Sequence, residues 1–62
     1  MKDGDLFIDP DGRTGVILCI IEALGIQHTV GMGFFFDTGE ELIIYEEDIE
    51  IIGGYNGTYI LE

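Results

Sequence analysis

Turn-forming residues cut this chain at short intervals. Asp9-Pro10-Asp11-Gly12, Asp37-Thr38-Gly39-Glu40 and Asn56-Gly57 join side chains that favour tight turns to glycines that accept positive φ. The stretches between them are rich in Ile, Val, Phe and Tyr, whose branched or aromatic side chains suit a pleated strand. Helix is poorly supported; only residues 20–24 could form a helical turn before Gly25 stops it. The pattern predicts an all-β domain with strands at residues 6–8, 14–22, 27–36, 41–46 and 50–53. Asn56-Gly57 leaves room for a sixth strand at residues 58–61. Between the fourth and fifth strands, Tyr45-Glu46-Glu47-Asp48-Ile49 breaks alternation with three consecutive acids and suits a single 3₁₀ turn.

With 62 residues, the chain is one domain near the lower size limit for a core that folds without metal or disulfides. Cys19 is the only cysteine, so neither an internal disulfide nor a Cys-based zinc cluster can form. Thirteen acids face only Lys2 and Arg13, for a net charge of -11. That balance disfavours direct binding to nucleic acid, whose affinity comes largely from Lys and Arg on phosphates, and it disfavours anionic membrane surfaces. No basic-then-apolar leader opens the sequence, and no run approaches the ~18 apolar residues of a spanning helix. A soluble, intracellular chain is the expectation. Acidity of this degree would suggest disorder, but 47% of the residues are hydrophobic, which argues for folding and for apolar side chains left over to meet a partner.

The third strand sorts into two faces. Val30, Met32, Phe34 and Phe36 share one, which reads as core, and Gly31, Gly33 and Phe35 share the other, left nearly bare. The glycines permit strong coiling or the close approach of another backbone. In the second strand both alternating sets, Val16-Leu18-Ile20 and Ile17-Cys19-Ile21, are apolar, whereas a strand with one solvated face should alternate. One set therefore needs a cover. Ile17, Cys19, Ile21 and Phe35, with Tyr55, Tyr59 and Leu61 near the C-terminus, are the candidate apolar contact residues. Glu46, Glu47, Asp48 and Glu50 are the candidate acidic contact residues.

Motifs for catalysis or cofactors are weak. Asp9 and Asp11 are too few oxygens for a calcium loop and read as a turn. The acidic run reads as a solvated face, a partner-binding patch or a loose cation site. His28 has no nucleophile near it in sequence, and Gly31-Met32-Gly33 lacks the third glycine and helix of a phosphate loop. No enzyme activity, metal or cofactor is expected.

Gly4-Asp5-Leu6-Phe7, Gly12-Arg13-Thr14-Gly15-Val16-Ile17-Leu18, Phe35-Phe36-Asp37-Thr38-Gly39 and Tyr45-Glu46-Glu47-Asp48-Ile49-Glu50-Ile51-Ile52 together resemble the small SH3-like barrel proteins encoded by bacteriophages. Residues 12–20 also resemble the Gly-centred strand of KOW-type modules, although the basic residues of those modules are absent. The resemblance covers residues 4–53 and leaves 54–62 as an extension. It implies a five-stranded SH3-like barrel with a 3₁₀ turn before the last strand, inside a single domain of residues 1–62.

Two functions compete on these observations. One is a non-catalytic protein–protein interaction module, a phage structural or accessory protein that assembles with itself or with a larger viral protein. The other is an acidic inhibitor that mimics nucleic acid, presenting Asp37, Glu40, Glu41, Glu46, Glu47, Asp48 and Glu50 to a nucleic-acid-binding enzyme of a host or bacterium.

Overall fold

The computed structural model describes residues 1–23 and 29–54. They form five strands and one 3₁₀ turn: β1 (Asp5–Ile8), β2 (Thr14–Ala23), β3 (Thr29–Phe35), β4 (Glu41–Tyr45), the turn at Glu46–Asp48, and β5 (Glu50–Gly54). All pairings are antiparallel, in one sheet ordered β4-β3-β2-β1-β5. Among the described residues β4 and β5 are the two edges, and the sheet stays open between them. The closed barrel expected from the sequence is thus not formed by these residues. The expected sixth strand at 58–61 lies outside the described residues, as does the start of the expected third strand at 27–28.

Asp9 builds the β1–β2 turn. Its Oδ1 accepts hydrogen bonds from the Asp11 and Arg13 amides at 2.9 and 2.8 Å, its carbonyl accepts from the Gly12 amide, and Gly12 sits at φ 85°. These are the local bonds that make Asp a turn residue. Across the sheet, the Phe35 amide donates to the Glu40 carbonyl and the Gly39 amide to the Phe35 carbonyl, with Gly39 at φ 77°. The two turns lie side by side.

The core is small: Phe7, Ile17, Phe35 and Ile44 are buried, with Met1, Ile20 and Ile49 packed against them. Burying Phe7 and Ile17, the two largest wholly buried side chains, stabilises the fold by roughly 1.5–3 kcal/mol each. The architecture of this core corrects the expected faces of β3. Gly31, Gly33 and Phe35 point inward, while Val30, Met32 and Phe34 are half-buried on the outside and Phe36 is exposed.

The reason lies in the pairing rows. Gly15 stands between Phe7 on β1 and Phe35 on β3, and the two rings meet edge to face over it, 5.3 Å between centroids. At Gly33 a Cβ would fall 2.5 Å from Ile44 Cγ1 and 3.1 Å from the Phe7 ring. At Gly31 it would fall 3.0 Å from Met1 Cε. A single sheet that makes a core by curling on itself needs its inner face hollowed, and the three glycines provide the hollow that Phe7, Ile44 and Met1 fill.

The doubly apolar β2 also has a geometric explanation. Its pairing with β3 runs Ile17 to Gly33, then Cys19 to Met32, then Ile20 to Gly31, then Glu22 to Val30, with register shifts at Leu18 and at Ile21. Each bulge adds one residue and reverses the strand's parity. Ile17 and Ile20 both serve the core although three positions separate them, and Leu18 and Ile21 are left exposed at 43% and 51%.

Candidate functional site: the outer sheet face and the acidic turn

Register places Cys19, Met32 and Ile43 side by side on the outer face, followed by Val30 beside Tyr45, and Val16 beside Phe34. Phe34 and Phe36 extend the patch, with ring centroids 6.1 Å apart. Ile43, Tyr45 and Phe36 are each about half exposed, at 49%, 50% and 49%. Isolated apolar side chains on a surface are ordinary, but these neighbours on three strands form a contiguous patch.

Of the apolar candidates from the sequence, Cys19 and Ile21 are exposed. Ile17 and Phe35 are core residues, 1% and 3% exposed, because the glycine-hollowed face is the inner one; neither offers a partner any surface. Tyr55, Tyr59 and Leu61 lie outside the described residues. Met32, Phe34, Phe36, Ile43 and Tyr45 were missed. The alternation of β3 separates Met32, Phe34 and Phe36 from the glycine face, but size assigns them to the inside, and Ile43 and Tyr45 join them only through the register of β4 on β3.

The acidic candidates stand on and after the 3₁₀ turn. Glu46 forms an ion pair with the Met1 ammonium. That ammonium, helped by a hydrogen bond from Thr29, holds the Glu46 carboxyl below the usual carboxylate range against the opposing effect of burial. Glu47, Asp48 and Glu50 are exposed. With Asp9 and Pro10 they line an open cleft of about 210 Å³ between the β1–β2 turn and the 3₁₀ turn. No group of His, Cys, Asp and Glu among the described residues has the geometry to hold a metal ion. His28 lies outside them.

Both basic side chains are committed to structure. Arg13 Nε lies 3.2 Å from Asp37 and its Nη2 3.1 Å from Glu40, with a further bond to the Thr38 hydroxyl. Arg13 depresses the Asp37 pKa, chiefly through the hydrogen bonds it donates to that carboxylate. Lys2 Nζ lies 3.3 Å from Asp5. Both basic side chains of the sequence are therefore in ion pairs.

No helix of the described residues is long and apolar enough to cross a membrane. Compared with known proteins, the chain matches no family model, no curated protein and no solved structure.

Proposed function

We propose that this chain is a non-catalytic protein–protein interaction module whose contact surface is the outer face of β2, β3 and β4. The supporting observation is the contiguous set Cys19, Met32, Ile43, Tyr45, Phe34 and Phe36 on one side of a sheet whose other side already holds the core. A strand order with β1 between β2 and β5 and a 3₁₀ turn before the last strand agrees with an SH3-like scaffold. The role that fits the sequence resemblance is that of a phage structural or accessory protein joining a viral assembly.

Titration with a hydrophobic fluorescent dye tests the reading. Saturable binding is expected, lost in an Ile43→Thr/Tyr45→Thr variant whose circular dichroism is unchanged. A folded wild-type chain that binds no dye overturns it.

The acidic cleft between Asp9 and Glu50 favours a second reading, an inhibitor that mimics nucleic acid. It has fewer available groups than the sequence suggests, since Asp37 and Glu40 are held by Arg13 and Glu46 by the Met1 ammonium. Salt-sensitive capture of a basic nucleic-acid enzyme, weakened in a Glu46→Gln/Glu47→Gln/Asp48→Asn variant, is its signature. Binding unchanged in that variant removes it.

A further inference from the structure

We infer that β4 is a docking edge for an extended segment of another protein, one with an apolar, strand-forming centre flanked on both sides by Lys or Arg. The inference rests on the reading of the chain as a protein-binding module and names the form and chemistry of the partner.

The edge itself is the first observation. β4 pairs with β3 in unbroken register from Val30–Tyr45 to Phe34–Glu41, and on its other side no described strand is bonded to it. Edge strands are usually protected by Lys, Pro or a bulge. The β4 sequence Glu-Leu-Ile-Ile-Tyr has none of these. The opposite edge differs, since β5 carries a register shift against β1 and ends in two glycines, features that discourage strand addition.

Side chains on both faces of β4 are open as well. Ile43 and Tyr45 point to the outer face and are half exposed, and Leu42, on the inner side opposite Gly33, is 43% exposed. An added strand would lengthen the outer apolar patch by one row while its backbone pairs the edge that no described strand covers.

Charge selects the partner. Glu40 precedes the strand and Glu41 opens it, and Glu46, Glu47 and Asp48 follow it. A second copy is disfavoured at both ends. Parallel pairing would stack Glu41 on Glu41, and antiparallel pairing centred on Ile43 would bring the acidic 3₁₀ turn of each chain to the Glu40–Glu41 end of the other, where Arg13 and the Met1 ammonium offset only Glu40 and Glu46. Each chain also carries a charge of -11, and its two basic side chains are already engaged. Like charges placed opposite one another destabilise strand pairs, whereas basic flanks on the incoming strand would meet acids at both ends.

The probe is a synthetic peptide of alternating Val and Thr with two lysines at each end, added to the full chain and followed by amide hydrogen exchange in NMR. Slowed exchange within residues 41–45 is expected. Binding should be at least about tenfold weaker for the same peptide with glutamate flanks and for one N-methylated at alternate amides, since each removes one of the two recognition elements. Methyl shifts at Met32 and Ile43 without protection in β4 overturn the docking edge while leaving the interaction module standing. Absence of any binding at millimolar peptide also overturns the edge, and the dye titration then decides the module separately. Protection in β4 that grows with protein concentration and needs no peptide overturns the inference in favour of a second copy. Protection already present in the free monomer and lost in a Tyr59→Asp/Leu61→Asp variant overturns it in favour of the chain's own C-terminal residues.

Discussion

The guanidinium carbon of Arg13 lies 4.3 Å from the centre of the Phe35 ring. Arg13 thus covers one end of the core while its nitrogens hold Asp37, Thr38 and Glu40 across the neighbouring turn. A planar, forked cation suits both tasks at once; an ammonium does not. Arg13→Lys keeps the charge, yet it is expected to lower the urea midpoint nearly as far as Arg13→Ala does. A midpoint for Arg13→Lys equal to wild type would show that charge alone matters.

The space around the glycines ranks three substitutions. A Cβ at Gly15 would sit 2.1 Å from the Phe34 carbonyl oxygen, a backbone atom that cannot yield without breaking the sheet. At Gly33 the obstacle is the Ile44 and Phe7 side chains, which can shift at a cost of about 1–3 kcal/mol. At Gly54 nothing stands within 4 Å. Chemical denaturation should order the variants as Gly15→Ala worst, Gly33→Ala intermediate and Gly54→Ala near wild type.

Adjacent isoleucines on β4 should respond differently to the same trimming. Ile44 is 7% exposed and Ile43 is 49% exposed. Ile44→Val is expected to cost ~0.5–1.5 kcal/mol, whereas Ile43→Val should change stability by less than about 0.5 kcal/mol. Equal losses in paired unfolding curves would contradict the assignment of the two faces.

Acid should weaken the fold through two carboxylates. Glu46 and Asp37 both have folded pKa values below their ordinary ones, held down by the Met1 ammonium and by Arg13. A depressed carboxyl binds its proton more readily in the unfolded chain. Its contribution is therefore complete above the ordinary carboxylate pKa and is lost as pH falls through the lower, folded value. Glu46→Gln should be less stable than wild type at neutral pH, fall less steeply in acid, and meet the wild-type curve at low pH. Parallel curves across the whole range would refute the linkage.

The strands were legible in the sequence because their boundaries are written in turn chemistry. Asp9-Pro10-Asp11-Gly12, the Gly39 hairpin and the acidic 3₁₀ turn all stand where they were expected. Which side faces inward was not legible. Size ordinarily assigns Met32, Phe34 and Phe36 to a core, but here the inner face must be empty so that Phe7 and Ile44 can enter from neighbouring strands. That depends on residues far away in the chain, to which local periodicity is blind. Ile17 and Phe35 were placed on the contact surface for the same reason, and the edge character of β4 depends on strand order, which no single strand records.

The two bulges in β2 bear on how the chain finds its fold. Ile17 and Ile20 both face the core three positions apart, a spacing natural to one side of a helix and foreign to a plain strand. Nothing local to β2 selects its final phase; Gly31 and Gly33 do so from the opposite strand. Docking of β2 on β3 is then expected to be the committed step of folding. Trimming Ile20 should slow refolding, while trimming Ile49 beside the last strand should chiefly speed unfolding, a contrast that chevron kinetics would reveal or deny.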